Sequence, residues 1–106
     1  APGPDAYLIR FESPVVSPEQ VAAFQALEEL ILEDTGKKGK KRRTDLKQAV
    51  TSISMEDDRI IKMVLKPVNQ RTVRPSDILT LGFGLAQEQV RAARIRKLKR
   101  SSNYRE

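Results

Sequence analysis

The chain has 106 residues with 20 Lys or Arg and 14 Asp or Glu, which gives a formal net charge of +6. Its length suits a single domain with a modest core. The absence of Cys and His excludes disulfides, thiolate metal sites and catalysis by imidazole or thiolate. No apolar run reaches the roughly 18 residues of a spanning helix, and the start lacks a secretory pattern, so we expect no membrane partner. The lack of Cys agrees with a reducing compartment, most simply the cytoplasm, with an organelle left open.

Charge is distributed unevenly along the sequence. Residues 1–36 hold one base and seven acids, a net charge of −6, whereas residues 37–106 hold 19 bases and seven acids, a net charge of +12. The change is abrupt, because six of the seven residues from Lys37 to Arg43 are cationic. We expect such a chain to present a cationic surface and an anionic surface to its partners.

The first elements are predicted to be a strand and a helix. Residues 1–6 are expected to be a disordered lead-in because they contain two prolines and a glycine, whereas residues 7–11 are typical of a strand. Ser17 and Gln20 fit a capping box, so a helix should begin there. Apolar residues then recur at three- and four-residue spacing, which predicts that this helix continues to Gly36.

A β-hairpin is predicted after the basic segment. Residues 46–55 and 60–65 are typical of strands, and we expect the three residues 57–59 to form the loop between them. The expected cross-strand pairs are Thr51 with Leu65, Ile53 with Met63 and Met55 with Ile61. A two-residue loop would instead pair Ile53, a core residue, with Lys62, a solvated residue.

The last predicted element is a helix that opens at Pro75 and carries apolar positions as far as Leu98. Gly82 and Gly84 weaken it, because each glycine costs about 1 kcal/mol relative to alanine in a helix interior. Residues 78–83 could instead form a short strand that leads into a later helix. We favour one helix, in which the glycines allow close approach to the sheet.

The order β-α-β-β-α predicts one α+β domain over residues 7–100, followed by a tail at 101–106. The expected architecture is a three-stranded, mostly antiparallel sheet with both helices on one face, a truncated ferredoxin-like split βαβ. A right-handed crossover would place the first strand beside residues 60–65. Residues 46–55 would then be an edge strand, and one face of the sheet would be left uncovered.

No catalytic or cofactor-binding motif is present. The segment Gly82-Phe83-Gly84 lacks the third glycine of a dinucleotide fingerprint. Three consecutive acids at 56–58 lack the ligand spacing of a calcium loop and are more typical of a solvated turn. We therefore expect a protein that is not an enzyme and has no small-molecule substrate, cofactor or metal.

Two basic clusters are candidate sites for nucleic acid. The first is the loop at 37–44 together with Lys47, and the second is the end of the last predicted helix. Such clusters neutralise phosphates of RNA or DNA without reading sequence. The candidate binding residues are Lys37, Lys38, Lys40, Lys41, Arg42, Arg43, Lys47, Arg91, Arg94, Arg96, Lys97, Lys99 and Arg100.

Simpler explanations exist for both clusters. The first could be a solvated linker or could neutralise acids of the preceding helix, and two or three cations at the end of a helix complement its dipole. The nucleic-acid hypothesis therefore requires that the cations beyond Gly36 share one exposed surface instead of pairing with the protein's own carboxylates.

The first hypothesis is thus a basic module that binds nucleic acid non-specifically, within a larger assembly. The alternative is a protein-interaction or self-assembly module, in which an acidic first helix meets the basic loop or last helix of another copy, or a separate partner. The candidate interface residues for that alternative are Glu28, Glu29, Glu33 and Asp34. An uncovered sheet face and an edge strand would also suit a protein partner or a homo-oligomer.

Overall fold

The computed structural model describes residues 4–98, apart from the side chain of Lys37. Its strands and α-helices are β1 (Asp5–Arg10), α1 (Pro18–Ala26), β2 (Ile31–Thr35), β3 (Lys41–Asp45), β4 (Val50–Asp57), β5 (Ile60–Leu65), α2 (Pro75–Asp77), α3 (Gln87–Ala92) and β6 (Arg94–Lys97). The 3₁₀ turns are Lys37–Gly39 and Leu46–Ala49, and a π-helical stretch, Ile78–Gly82, follows α2. Strand β1 begins two residues earlier than predicted. The predicted tail at 101–106 lies outside the described residues.

The strands form two antiparallel sheets. The larger sheet has the order β4-β5-β1-β6, and β2 pairs with β3 in a separate two-stranded sheet. The protein is therefore a mixed α+β domain, as predicted, with β1 beside β5 and β4 at an edge. The prediction of three strands is wrong, because β6 adds a fourth strand to the main sheet and β2 and β3 form a second one.

The core lies between one face of the main sheet and the helical segments. Five strand residues that point to this inner face are buried, namely Ile9, Ile53, Ile61, Met63 and Leu65. They pack with buried side chains of α1 and of residues 75–85, namely Val21, Phe24, Pro75, Ile78, Leu79, Phe83 and Leu85. Phe24 and Phe83 stack with ring centroids 5.1 Å apart and planes inclined by 12°. The helical segments therefore cover the same face of the sheet.

The register of the β4–β5 hairpin follows the prediction at its centre. The confirmed pairs are Ile53 with Met63 and Met55 with Ile61. The predicted three-residue loop is wrong, since Asp57 faces Ile60 and leaves two residues in the turn. Two β-bulges, one between Val50 and Ser52 and one between Met55 and Asp57, each leave one residue of β4 without a partner on β5. As a result, Val50 rather than Thr51 faces Leu65. These bulges keep the apolar side chains on the inner face in spite of the shorter loop.

The prediction that the first helix continues to Gly36 is wrong. Helix α1 begins with the predicted capping box, in which the Ser17 hydroxyl accepts from the Gln20 N–H and the Gln20 side chain accepts from the Ser17 N–H. It ends at Ala26, and residues 31–35 form β2 instead. The three- to four-residue apolar spacing favoured a helix, but as a strand β2 gains a hydrogen-bonded partner, β3, with opposite charges across the ladder.

The predicted long last helix is also wrong. Gly84 adopts a φ of +65°, a left-handed conformation that interrupts a helix, and only six residues of α3 follow. The chain then enters β6, whose four residues pair with the free edge of β1. None of the helices among residues 4–98 has the length and apolar character needed to cross a membrane.

Gly82 allows the close approach between the π-helical stretch Ile78–Gly82 and α1. A Cβ atom at this position would lie 2.6 Å from Cε1 of Phe24, closer than real Cβ atoms come to another carbon. We expect Gly82→Ala to displace the Phe24 ring from its stack with Phe83 and to lower the free energy of unfolding by about 1–3 kcal/mol, measured with urea.

Gly84→Ala provides the matched control. A Cβ there meets no atom within 4 Å, so its cost comes from the positive φ alone, about 1 kcal/mol. In a Phe24→Leu background the cost of Gly82→Ala should decrease, while that of Gly84→Ala stays the same. An unchanged cost of Gly82→Ala in that background would contradict the proposed clash.

Candidate nucleic-acid interface

The outer face of the main sheet, opposite the core, carries both basic and apolar side chains. Strand residues alternate between faces, so Leu8 and Arg10 point away from the core that contains Ile9. Across the sheet, the outward rows are Arg94, Arg10 and Ile60, followed by Arg96, Leu8 and Lys62. We call the surface formed by Leu8, Arg10, Ile60, Lys62, Arg94 and Arg96 the open face. None of these six residues is fully buried.

The open face exists because β6 pairs with β1. The register of this pair places Arg94 directly opposite Arg10 and Arg96 directly opposite Leu8. Just beyond the strand, the Leu98 N–H donates to the Ala6 carbonyl at 2.8 Å and extends the ladder. Arg94 and Arg96, which are far from β1 in the sequence, are thereby held beside Arg10 in the fold.

The four cations of the open face form no direct ion pair in the described part of the chain. Arg10, Lys62, Arg94 and Arg96 take part in none of the ion pairs or side-chain hydrogen bonds formed among residues 4–98. Like charges directly opposite each other in an antiparallel pair are destabilising. The Arg10–Arg94 pair therefore has a free-energy cost that a bound anion would relieve.

Two shallow hollows adjoin on this surface and share Arg10 and Arg94. The smaller has a volume of about 240 Å³ and is lined by Leu8, Arg10, Arg94 and Arg96. The larger, about 410 Å³, lies towards the β4–β5 turn and is lined by Arg10, Phe11, Glu12, Asp57, Arg59, Ile60, Ala92 and Arg94. Cations thus dominate the smaller hollow, whereas the larger one also contains two carboxylates.

The first predicted basic cluster lies on the β2–β3 hairpin, and part of its charge is already paired. Arg42 lies 3.3 Å from Asp34 and Arg43 lies 3.3 Å from Glu33, each across the ladder. The exposed lysines Lys38, Lys40 and Lys41 form no ion pair within residues 4–98. The side chain of Lys37 is outside the described residues. The expectation that these cations are free of the protein's carboxylates is therefore wrong for the two arginines.

Lys47 lies in the turn Leu46–Ala49, and its side chain contacts the C-terminal end of α1. Its Nζ donates to the carbonyls of Phe24 at 2.7 Å and Gln25 at 3.2 Å, and lies 4.6 Å from the centroid of the Phe24 ring. A cation that satisfies the last carbonyls of a helix also complements the helix dipole. Lys47 therefore stabilises the short α1.

The second predicted cluster is divided by the structure. Arg94 and Arg96 point to the open face, whereas Lys97 alternates to the other side of β6 and pairs with Asp5 at 3.4 Å. Arg91 lies on α3, where it donates to Gln87 at 3.5 Å. Two further members, Lys99 and Arg100, are outside the described residues. The expectation that these cations lie at the end of one long helix is wrong, because Arg91 lies on the short helix α3 and Arg94, Arg96 and Lys97 lie on β6.

The two basic clusters do not converge on one surface, so the cations beyond Gly36 do not meet the condition set for the nucleic-acid hypothesis in its original form. The hairpin is hydrogen-bonded to the loop after α1, where the Leu30 N–H donates to Asp45, and the turn Leu46–Ala49 connects it to β4 at one edge of the main sheet. Arg94 and Arg96 lie on β6 at the other edge. Of the four predicted interface acids, Glu33 and Asp34 pair within the molecule. Glu28 and Glu29 are exposed in the loop after α1.

Two residues of the open face, Arg10 and Lys62, were absent from the predicted binding set. Strand alternation was the signal for both, because Arg10 follows an inward Ile9 and Lys62 lies between Ile61 and Met63. Sequence clustering did not reveal them, since each stands alone among apolar residues. Only the fold places them beside Arg94 and Arg96.

Asp34 connects the hairpin to the rest of the protein. Arg71 donates from Nη1 to Oδ1 of Asp34 at 3.2 Å and to the buried hydroxyl of Thr44 at 2.9 Å, while Arg42 also donates to this carboxylate. Partial burial by itself raises the pKa of Asp34. Hydrogen bonds from Arg71 and Arg42, with the charges of both guanidiniums, outweigh this effect, so the pKa lies below its ordinary value.

The remaining chemistry of the described residues is limited. No group of three or more acidic side chains within residues 4–98 is arranged to hold a metal ion. Guanidinium and ammonium groups with free donors are suited to binding carboxylate or phosphate, and Arg can do so with two parallel hydrogen bonds. Anion binding is therefore the chemistry that the open face offers.

One bacterial family model matches residues 5–75, about two thirds of the chain. The chain belongs to this family, which is described as an uncharacterized protein conserved in bacteria (DUF2344). The DUF2344 match covers β1 to β5, and so includes Arg10 and Lys62, whereas Arg94 and Arg96 lie beyond it. No curated protein and no solved structure matches the sequence significantly.

The lowered pKa of Asp34 makes the stability of the fold depend on pH. A carboxyl group whose pKa is lower in the folded protein stabilises it above the ordinary carboxyl range, near pH 4, and loses that effect as pH falls through the lowered value. We expect Asp34→Asn to be less stable than the wild type at neutral pH. In urea unfolding, this difference should shrink as pH falls below about 4.

Glu33→Gln is the control for this experiment. Both side chains of the Glu33–Arg43 pair are 68% exposed, so its contribution should be small. A loss for Glu33→Gln as large as that for Asp34→Asn, or a difference for Asp34→Asn that is constant down to about pH 2, would contradict the role given to Asp34.

Proposed function

We propose that this protein is a non-enzymatic module that binds the phosphate backbone of nucleic acid through its open face, without reading sequence. The observation that supports the proposal is the set of four cations, Arg10, Lys62, Arg94 and Arg96, which share one sheet face and form no direct ion pair among residues 4–98. The overall net charge of +6 would attract such a polyanion from a distance.

The electrostatic cost of this face favours an anionic ligand. Arg10 and Arg94 face each other directly, and Arg96 is a diagonal neighbour of Arg10. Phosphate groups at this position would convert repulsion between guanidiniums into bridging, charge-assisted hydrogen bonds. The exposed lysines of the hairpin, Lys38, Lys40 and Lys41, would add weaker, long-range attraction from the other edge of the sheet.

The proposal predicts which arginines control binding. Replacement of both Arg94 and Arg96 by Ser should weaken binding to RNA and DNA and make its dependence on salt less steep. The slope of log K against log salt should decrease by about 1–2, because each lost phosphate contact contributes about 0.7–0.9. Fluorescence anisotropy across a salt series measures this slope.

A variant with Arg42 and Arg43 replaced by Ser is the matched control, since it loses the same formal charge. Both of these arginines are already paired with carboxylates, so the effect on the slope should be smaller. Equal slopes for the Arg94/Arg96 variant and the wild type would contradict the proposal. A control variant that loses as much as the Arg94/Arg96 variant would move the binding site to the hairpin.

Protein assembly is the second candidate function, and one specific feature favours it. A groove of about 540 Å³ between the segment after β1 and strand β4 is lined mainly by Pro14, Val15, Val16, Pro18 and Met55. Apolar grooves of this kind are common at interaction surfaces. The acids first expected to mediate assembly are less suitable, since Glu33 and Asp34 are paired within the molecule.

Sedimentation at low and high salt separates the two candidates. Assembly through the apolar groove predicts an oligomer that persists at high salt, because apolar burial is not screened. A monomer at both salt concentrations would remove self-assembly as a function.

We also propose that the main sheet is a ferredoxin-like split βαβ into which the β2–β3 hairpin is inserted. The strand order β4-β5-β1-β6 and the position of α1 between β1 and β4 support this assignment. This topology serves many unrelated functions, so it adds nothing to the case for nucleic acid. A cytoplasmic location stays a prediction.

A further inference from the structure

We infer that the nucleic acid held on the open face is single-stranded, with one unpaired base packed on Leu8 between Arg10, Arg94 and Arg96. This inference rests on the proposed function and specifies the class of ligand. Its starting point is the smaller hollow, which is lined by these four residues.

The hollow combines an apolar floor with a cationic rim. Leu8 is half-buried in the middle of the open face, and its two cross-strand neighbours are Arg96 and Lys62. A volume of about 240 Å³ is below the range of pockets for drug-sized ligands, about 300–1,000 Å³, and suits one planar ring system. A base face can pack on an aliphatic side chain and stack on a guanidinium plane, while its phosphates bind neighbouring donors.

A duplex does not offer these groups together. Its bases are stacked and paired inside, so the ring faces that would pack on Leu8 are not accessible. Proteins that bind base edges in a duplex usually insert a helix or a β-ribbon into a groove. The helical segments of the described chain cover the other face of the main sheet, so the open face could meet a duplex only as a flat surface.

The charges also limit where the strand can run. The larger hollow continues from Arg10 and Arg94 towards Glu12 and Asp57, whose carboxylates repel phosphate. The favourable path for a phosphate backbone therefore runs from Arg94 and Arg10 towards Arg96 and Lys62. These residues lie on three adjacent strands, a distance of about 10 Å, which a few nucleotides can span.

Binding to matched oligonucleotides tests the inference. The probes are a single-stranded RNA, the same sequence as single-stranded DNA, a blunt duplex of equal length, and an abasic single strand with the same number of phosphates. We expect the single strands with bases to bind about tenfold more tightly than the duplex or the abasic strand, a ratio near the lower end of that for one base stacked on an aromatic side chain, because Leu8 is aliphatic.

Leu8→Ala should reduce affinity for the single strands several-fold without changing the salt slope, because it removes base packing and no charge. Val64→Ala is the matched control, since Val64 is a half-buried outward residue of β5 that does not line the hollow. It should leave affinity unchanged.

The outcomes distinguish this inference from the proposed function. Equal, salt-dependent binding of single strand, duplex and abasic strand would overturn the single-strand inference and leave phosphate binding in place. Salt-independent binding, or no binding of any probe, would overturn both. If Leu8→Ala fails to fold, the comparison of abasic and base-containing strands with the wild-type protein still decides the question.

Discussion

The pairing of β6 with β1 is the interaction on which the candidate site depends. It gives β1 a hydrogen-bonded neighbour on each side and closes an edge that a three-stranded sheet would leave exposed. It also places Arg94 against Arg10, an arrangement that opposes stability in the absence of a ligand. Backbone hydrogen bonds between β1 and β6 therefore have to offset a repulsion between side chains on the outer face, because Ile95 on the other face remains 39% exposed. A sheet that maintains such a repulsion is well suited to a polyanion.

The protein separates its charges into two environments. On the β2–β3 hairpin, Glu33 and Asp34 face Arg43 and Arg42 across the ladder and form ion pairs with them. Asp34 also binds Arg71 from the polypeptide that follows β5. On the open face, the cations are held by strand pairing alone. Arginine therefore stabilises the fold in the first environment and is available to a ligand in the second. The highest density of cations in the sequence is consequently a poor guide to the free positive charge of the folded protein.

Local signals in the sequence were sufficient for part of the fold. The capping box fixed the start of α1, and the alternation of Ile53 and Met55 with Ile61 and Met63 fixed the centre of the β4–β5 hairpin. The end of α1 and the existence of β2 and β6 depended on tertiary partners. Residues 31–35 have apolar spacing that suits a helix, but β3 competes for them, and residues 94–97 become a strand because the edge of β1 is free. The candidate site was only partly predictable for the same reason: Arg94 and Arg96 were visible as a cluster, whereas Arg10 and Lys62 join them only through strand pairing.

The central claim is that the cations of the open face, and not those of the hairpin, contact phosphate. Nuclear magnetic resonance of the protein during titration with a short oligonucleotide tests it most directly, because arginine Nε–H and backbone amide signals report contact residue by residue. We expect the largest shifts at Arg10, Arg94 and Arg96 and along β1 and β6. Shifts concentrated at Lys38, Lys40 and Lys41, with β1 and β6 unaffected, would contradict it.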